Sequence, residues 1–298
     1  MSGTTAVSFE GLLAPALYIV ATPIGNMGDI TLRALEVLRG VDLIAAEDTR
    51  HSRGLLSHFG ISTPVTAYHE HSSERVRERL LARILAGERV ALISDAGTPT
   101  ISDPGYRLVK RVAEAGGRVI PIPGANAAIA ALSVAGLPSD RFAFEGFLPS
   151  REEARSAQLQ RLVNESRTLL FYEAPHRLVA TLEAMVAAFG AERSAVVARE
   201  LTKLHESVRR ATLAQLAERF RGGEESARGE VVIVVAGCER EVTLSQQQAE
   251  RMLRELLTEL PLARAARLAS RMTGLERDWL YARGVAWQRG DDADRSEK

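Results

Sequence analysis

Short runs of apolar, often β-branched residues alternate with amphipathic stretches over the first two thirds of the chain. In the first half the runs are LYIVA (17–21), VDLIAAE (41–47), RVALISD (89–95) and RVIPIP (118–123). The stretches between them have helical periodicity and end at glycines, such as Gly40 and Gly116. Alternation of this kind predicts a mostly parallel sheet covered by helices. Asp103 and Pro104 are predicted to begin one helix as its N-cap and first residue.

The alternation repeats after the segment PIPG (121–124), which indicates a second α/β domain. Its predicted strands are RFAFEGF (141–147), TLLFY (168–172), AVVAR (195–199) and EVVIVVAG (230–237). Helical stretches fall at about 151–165, 176–189 and 212–220. The predicted organisation is a flexible N-terminus (1–14), an N-terminal α/β domain (15–123) and a C-terminal α/β domain (124–238).

Beyond Gly237 the pattern becomes helical, and residues 239–298 are predicted to form a small Arg-rich module. Arg264, Arg267 and Arg271 fall on one face of a predicted helix. Such a stripe is either the solvated face of a packing helix or a contact for nucleic acid phosphates.

Composition excludes several classes of protein. Lys+Arg and Asp+Glu both number 38, so no overall positive field attracts nucleic acid or an anionic membrane. Cys238 is the single cysteine, which excludes an internal disulfide and a thiolate-rich metal site. His69-Glu70-His71 lacks the His-Glu-x-x-His spacing, so no metal is predicted. The apolar N-terminal stretch is too short to span a bilayer, and we expect a cytoplasmic protein with no membrane partner.

The loop SDAGTPTISDPG (94–105) follows a predicted strand and fits no established phosphate or calcium motif. Its small residues at Asp95–Pro99 predict a cleft where backbone groups meet a polar ligand. ATPIGNMGDIT (21–31) also ends a strand, and Glu47 and Asp48 lie where a dinucleotide fold places its ribose-binding acid. The required Gly-x-Gly-x-x-Gly is absent, which disfavours that fold.

Three later segments carry polar or small residues directly after predicted strands: PGANAA (123–128), FYEAPHR (171–177) and ARELTKLHE (198–206). Five further segments are TPIGN, AAEDTRHS, YHEH, SDAGTPTISDPG and GLPSDRFAFEGFLP. Taken in their order along the chain, all eight segments resemble the ribosomal RNA small subunit methyltransferase I family. That family consists of 2'-O-ribose methyltransferases in the tetrapyrrole methylase (class III methyltransferase) superfamily. The resemblance runs from about residue 15 to the Arg-rich module. Ala174, where the family often has Ser, is a small departure.

The resemblance implies two α/β domains with S-adenosyl-L-methionine in the cleft between them, and a homodimer. The implied acceptor is a cytidine ribose in the decoding region of 16S rRNA, in the small ribosomal subunit. The residues it implies for cofactor binding are Pro23, Asp95, Gly97, Thr98, Pro99, Gly124, Asn126, Ala127, Tyr172, Glu173, Glu200 and Glu230.

The ribose hydroxyl is a weak nucleophile that gains from a neighbouring proton acceptor. Glu47 and Asp48 are therefore candidate catalytic residues that orient the acceptor ribose. Glu200, Lys203 and Glu206 are the competing set from the second domain. Arg50 and the α-helical arginines 264, 267 and 271 are the candidate RNA contacts. Two other functions stay open: methylation of a tetrapyrrole or another small acceptor by the same fold, and non-catalytic regulation by nucleotide binding.

Overall fold

The computed structural model describes residues 13–223, 225, 228–238 and 246–295, with side chains up to 287. Residues up to 160 together with 167–236 form one compact unit, and 161–166 with the residues from 237 onward form a second. Most of the predicted flexible N-terminus (1–14) lies outside the described residues, as do 239–245 and 296–298 of the helical module.

The first sheet has five strands in the order β3-β2-β4-β1-β5, and every pairing is parallel, which confirms the prediction for this half. Apolar clusters cover both faces. The strands are β1 (Ala16–Val20), β2 (Leu43–Ala46), β3 (Val65–Ala67), β4 (Arg89–Ile93) and β5 (Val119–Ile122), and the helices are α1 (Leu32–Gly40), α2 (Thr49–His58), α3 (Glu74–Leu85) and α4 (Tyr106–Glu114).

The second sheet is mixed, with the order β6-β7-β10-β8-β9. Its strands are β6 (Phe142–Phe147), β7 (Thr168–Glu173), β8 (Ser194–Arg199), β9 (Ser207–Thr212) and β10 (Val231–Val235), and its helices are α5 (Ala127–Ala135), α6 (Glu152–Arg161), α7 (Leu178–Phe189) and α8 (Leu213–Arg221). The expectation of a parallel sheet is wrong here, since β10 runs antiparallel to both neighbours. β8 and β9 are antiparallel because a seven-residue turn, too short for a parallel crossover, joins them.

The chain passes from the first sheet to the second through residues 123–126, between β5 and α5. α5 then packs its buried alanines against β7, β8 and β10. Asn126 is the N-cap of α5, and its side-chain oxygen accepts the Ile129 N–H at 3.1 Å. The crossing segment is therefore fixed at its downstream end by a helix cap.

The loop from Ser94 to Gly105 does not begin α4 as predicted, because the helix starts at Tyr106 with Gly105 as its N-cap. Gly105 has a φ of 134°, and Thr100 and Ser102 have φ values of 77° and 62°. These left-handed conformations turn the chain before the helix can start. Asp103 is thereby left in the loop, with its side chain free of a capping role.

The C-terminal unit contains three helices, α9 (Gln246–Glu259), α10 (Leu262–Thr273) and α11 (Arg277–Arg295). They pack around a core of small and branched residues: Ala249, Leu253, Ala265, Ala266, Ala269 and Leu280. This confirms the predicted helical character of the module over its described part. Over the described residues, none of the helices combines the length and apolarity needed to cross a membrane.

Candidate functional site

Loops that follow three strands of the first sheet are bonded to one another at the carboxyl ends of those strands. The Thr22 N–H donates to the Gly97 carbonyl at 2.8 Å, and the Gly97 N–H donates back to the Thr22 carbonyl at 3.0 Å. The Thr98 hydroxyl donates to the Ala125 carbonyl at 3.0 Å. The loops after β1, β4 and β5 thus form one wall, at the edge of the sheet where open α/β folds bind ligands.

A cavity of about 390 Å³, the first cavity, lies between this wall and the second sheet. Its volume falls within the range of small-molecule sites. Residues of both sheets line it: Ile24, Ala96, Gly97, Thr98, Ile101, Ser102, Asp103, Asn126, Ala127, Phe147, Tyr172, Glu173, Ala174, Pro175, Ala198, Leu201, Gly229, Glu230, Val231 and Val232.

A second cavity of about 670 Å³ adjoins the first and shares Ile24, Ala96 and Glu230 with it. Its other lining residues are Thr22, Pro23, Gly25, Met27, His51, Ser52, Gly54, Leu55, Ser94, Asp95 and Lys203. Except for Lys203 and Glu230, these residues belong to the first sheet and its loops. The two cavities therefore meet at a narrow set of shared side chains.

The predicted cofactor residues divide between the two cavities. Gly97, Thr98, Asn126, Ala127, Tyr172, Glu173 and Glu230 line the first cavity, Pro23, Asp95 and again Glu230 line the second, and Pro99, Gly124 and Glu200 line neither. Gly124 lies behind the cavity wall and packs closely against Ala21. A Cβ at this position would lie 2.9 Å from the Ala21 Cβ. A side chain at this position would push the crossing segment away from β1.

The Glu173 carboxylate is buried and fully engaged by its own loop and helix α7. It accepts the Ala174 N–H at 2.7 Å and the Thr181 hydroxyl at 2.6 Å, and it pairs with the Arg177 guanidinium at 3.1 Å. Arg177 in turn donates to the Leu148 carbonyl. Glu173 therefore shapes the cavity wall at 173–177, and its oxygens are already bonded to protein groups.

Glu200, Lys203 and Glu230 form an ion-pair cluster at the boundary of the second cavity. Lys203 Nζ lies 3.0 Å from Glu200 Oε1 and 3.2 Å from Glu230 Oε2, and the Glu230 N–H donates to Glu200 Oε1 at 2.8 Å. Burial opposes the charge of Glu200, but these hydrogen bonds outweigh it and lower the pKa of Glu200. Burial likewise opposes the charge of Lys203, and the two carboxylates outweigh it and raise the pKa of Lys203. The Lys203 stem lies against Gly25, where any side chain would overlap it.

Glu47 and Asp48 line neither cavity, although both contact Asp95, which lines the second. Asp48 is the N-cap of α2: its Oδ1 accepts the Arg50 N–H at 2.7 Å, and that bond lowers the pKa of Asp48. The Asp48 N–H donates to Asp95 Oδ1 at 3.1 Å. Burial, together with the charge of Asp95, raises the pKa of Glu47.

Asp103 is a cavity residue that the sequence interpretation missed. Burial raises its pKa to about 6, the polar side chain of Ser94 opposes this rise, and the charges of Glu47 and Asp95 add to it. The Asp103-Pro104 pair matches the usual sequence of a helix start, and nothing else in the local sequence indicated a role for Asp103 in a cavity. Only the left-handed residues around it reveal that it faces the first cavity.

Ser52 is a second residue that the sequence did not single out. It is 2% exposed, lies on α2 and lines the second cavity. Its Oγ has no hydrogen-bond partner within the described part of the chain. Buried hydroxyls are nearly always paired, so an unpaired one beside a cavity indicates a place for a polar ligand.

The candidate RNA contacts are all exposed. Arg50 lies in the first turn of α2, and Arg264, Arg267 and Arg271 lie on the face of α10 opposite its buried alanines. No carboxylate of the described side chains pairs with these three arginines, whereas Arg283 on α11 pairs with Glu250. Among the described residues, no group of three His, Cys, Asp or Glu side chains could hold a metal ion.

Comparison with known proteins places this geometry in context. The family model for Tetrapyrrole (Corrin/Porphyrin) Methylases matches residues 16–217, and the model for the RsmI C-terminal HTH domain matches 243–288. Ribosomal RNA small subunit methyltransferase I of Pseudomonas aeruginosa is 52% identical over 92% of this chain and 98% of its own.

Solved structures are similar in fold at much lower identity. A cobalt precorrin-4 methyltransferase has a TM-score of 0.56 and 18% identity, covering 74% of this chain and 95% of its own. Uroporphyrin-III C-methyltransferase from Thermus thermophilus, complexed with S-adenosylhomocysteine, has a TM-score of 0.51 and 17% identity, covering 74% of this chain and 97% of its own.

Proposed function

Because this chain belongs to the tetrapyrrole methylase family and, within it, to the ribosomal RNA small subunit methyltransferase I family, we propose that it methylates a ribose 2'-hydroxyl of 16S rRNA with S-adenosyl-L-methionine. The observation that carries the proposal is the pair of adjoining cavities that share Ile24, Ala96 and Glu230. A group-transfer enzyme needs two substrates whose reacting atoms meet, and this arrangement supplies one compartment for each.

The first cavity suits the cofactor. Its lining is largely apolar, with a few polar groups from the loops, which is the usual make-up of a small-molecule site. Gly97 has a φ of 77°, and a Cβ there would lie 3.4 Å from Ile24 Cγ2, so glycine keeps the backbone of this wall open to a ligand. Gly97, Thr98, Asn126 and Ala127 would hold the cofactor through these loops.

The second cavity suits the acceptor nucleotide. Its polar lining includes His51, Asp95 and the Ser52 hydroxyl, which is unpaired within the described chain and can bond a sugar hydroxyl or a base edge. Glu47 and Asp48 would orient the acceptor indirectly, since both hold Asp95 at the cavity wall. This is the role we propose for the two carboxylates.

When bound, S-adenosyl-L-methionine supplies an activated methyl group on a sulfonium. The residues of this chain then have to position the two substrates, exclude water and accept a proton. Well-aligned intramolecular reactions gain about 7–11 kcal/mol from positioning alone. The hydrogen-bonded loops at Thr22, Gly97 and Ala125 supply a rigid wall for such alignment.

The exposed arginines of α10 would contact phosphates of the RNA, with Arg50 as a further contact near the second cavity. We propose in the same way that the acceptor is a cytidine of the decoding region within the small subunit, that the protein acts as a homodimer, and that it is cytoplasmic. These finer assignments follow the family resemblance.

Purified small ribosomal subunits from a strain lacking this activity, incubated with methyl-labelled S-adenosyl-L-methionine, test the proposal. We expect label in the 16S rRNA at a ribose, identified by nuclease digestion and mass spectrometry of the 2'-O-methylnucleoside. Transfer to a tetrapyrrole and not to RNA would support the small-acceptor alternative. Cofactor binding without transfer to either acceptor would support a nucleotide-binding regulator.

The role of α10 is tested by replacing Arg264, Arg267 and Arg271 with Ala together. RNA affinity is expected to fall, and the dependence of log Kd on log salt to become shallower by about 0.7–0.9 for each phosphate that the variant no longer neutralises. A matched control replaces three exposed arginines elsewhere, Arg75, Arg79 and Arg219, and removes the same charge. Equal reductions in RNA affinity for the two triple variants would refute a specific role for α10.

A further inference from the structure

Asp103 lies in a loop whose backbone conformation is costly. Thr100 and Ser102 have φ values of 77° and 62°, a left-handed region that side-chain-bearing residues seldom adopt. Gly105 follows with a φ of 134°, and a side chain there would press on Leu92. Backbone strain of this kind persists where the surrounding structure requires it, and it concentrates at functional sites. Here its result is that Asp103 lines the first cavity.

The carboxyl of Asp103 is also tied to the place where the two cavities meet. The Ser94 side chain, which lines the second cavity, lies close enough to influence the pKa of this carboxyl. Ala96, two residues further along, lines both cavities. The reacting atoms of two substrates held in adjoining cavities have to meet at this junction. Asp103 lines the first cavity and lies beside Ser94 of the second, which places it close to this junction.

The other carboxylates near the junction are committed elsewhere. The Asp48 carboxylate caps α2, and Asp95 Oδ1 accepts the Asp48 N–H. Glu47 lines neither cavity. Glu230 does line both, but its carboxylate pairs with Lys203 and is 69% exposed to water. Among the described carboxylates at the junction, Asp95 and Asp103 both line a cavity without a cationic partner. Of these two, Asp95 already accepts the Asp48 N–H, and Asp103 is the more deeply desolvated, with its pKa raised by burial.

We propose that Asp103 is the catalytic proton acceptor of the methyl transfer, an assignment that rests on the proposed function. The ribose oxygen forms a bond to the methyl carbon, the carbon–sulfur bond breaks with its electron pair left on sulfur, and the hydroxyl proton passes to the Asp103 carboxylate. The products are a methyl ether, a neutral thioether and a protonated Asp103, which returns its proton to water when the site opens.

The electrostatic surroundings of Asp103 suit this role. A pKa of about 6 leaves the carboxyl ionised at neutral pH, while making it more basic than an ordinary aspartate. The groups that face it are Ser94, Glu47 and Asp95 on the first sheet and Tyr172 on β7. None of these is a cation that would hold the proton away. Its burial and the neighbouring negative charges both favour uptake of a proton.

The test compares Asp103→Asn, Asp103→Glu and the exposed control Asp140→Asn in single-turnover methyl transfer at saturating cofactor. Asp103→Asn is expected to lower the rate about 10²–10⁴-fold at neutral pH with little change in the Kd for S-adenosyl-L-methionine. The unmodified protein is expected to lose rate below about pH 6, and Asp103→Asn to lack this acid limb. Asp103→Glu should recover part of the rate, and Asp140→Asn should behave as the unmodified protein.

A second readout needs neither cofactor nor RNA. The raised pKa means that the folded protein binds a proton at Asp103 more tightly than the unfolded chain, so the unmodified protein loses stability as the pH rises from 3.8 toward about 6. Asp103→Asn cannot titrate, and its urea midpoint relative to the unmodified protein should rise over the same interval. Asp140→Asn removes one exposed carboxylate and is the matched control.

Three results would overturn the assignment. One is an Asp103→Asn variant that keeps the rate and the acid limb. Another is an Asp103→Asn variant that binds S-adenosyl-L-methionine much more weakly than S-adenosylhomocysteine but reacts at an unchanged rate at saturating cofactor. That result would make Asp103 a counter-ion for the sulfonium. The third is a stability gap that does not change with pH. If the unmodified protein binds cofactor but transfers nothing to rRNA, the proposed function itself fails.

Discussion

Asp42 and Arg89 join the amino-terminal ends of β2 and β4, and replacing Asp42 with Asn should destabilise the first sheet while leaving the site intact. Asp42 Oδ2 accepts both the backbone N–H and the Nε–H of Arg89, at 2.8 and 2.9 Å, and the guanidinium also reaches Oδ1. The pair fixes the register of two strands whose opposite ends carry Glu47 and Asp95. It lies about four residues, or roughly 13 Å, from those ends.

The size of the effect follows from the pKa of Asp42. The hydrogen bonds from Arg89 lower it from 3.8 to about 2, and at about 1.36 kcal/mol per pH unit this corresponds to about 2 kcal/mol. The two side chains are 33% and 30% exposed, so solvent screening reduces the value. We expect Asp42→Asn to lower the free energy of unfolding by about 1 kcal/mol at neutral pH.

The sign of the pH dependence follows from linkage. A depressed pKa in the folded protein gives stability that is present above 3.8 and is lost as the pH falls toward about 2. The gap between the unmodified protein and Asp42→Asn should therefore be constant at neutral pH and shrink to about half near pH 3. This direction is opposite to the one expected for Asp103→Asn.

Urea unfolding followed by far-ultraviolet circular dichroism measures this gap. Tryptophan fluorescence is unsuitable, since Trp279 and Trp287 both belong to the C-terminal unit and would not report on the first sheet. Glu36→Gln, at an exposed position of α1, is the control that removes one negative charge. A gap as small as that of the control, or one that does not change in acid, would refute the argument.

Three further variants test the walls of the site. Gly124→Ala places a methyl group 2.9 Å from the Ala21 Cβ, and should cost about 1–3 kcal/mol of stability and weaken cofactor binding, measured by denaturation and calorimetry. Thr181→Val removes the hydroxyl that donates to the buried Glu173 and should lower the free energy of unfolding by about 1.5–3 kcal/mol. Thr181→Ser keeps a hydroxyl and should lower it less. The reverse order in urea unfolding would contradict this. Ser52→Ala should leave stability nearly unchanged, because its Oγ has no partner among the described residues, and should raise the KM for RNA without changing kcat; a large drop in stability would show that the hydroxyl is structural.

The buried strands were predictable because of how they pack. β4, β7 and β10 are covered on both faces, and such strands must be continuous apolar runs that stand out in any sequence. β3 and β9 lie at sheet edges, where one side faces solvent and the sequence is short or charged, so no pattern marked them. The order and direction of strands are set by contacts distant in sequence, which is why the antiparallel course of β10 was not foreseen.

The same distinction holds for the site. Gly97 and Thr98 were predictable because a loop of small residues after a strand has few other uses. Asp103 was misassigned because Asp-Pro is a strong local signal for a helix start, and the tertiary requirement at Ser102 and Gly105 overrode it. Ser52 could not be found by any local rule, since an unpaired buried hydroxyl is defined only by what does not contact it in three dimensions.

The crossing segment between the two sheets has a mechanical consequence. The covalent connection between the sheets runs through Gly124 to Asn126, the segment that the Thr98 hydroxyl holds and whose Asn126 lines the first cavity. The connecting segment is therefore also part of the ligand site, and tension between the sheets acts on the site directly. Pulling the two sheets apart should release a bound ligand before either sheet unfolds, and a bound ligand should raise the force at which the sheets separate.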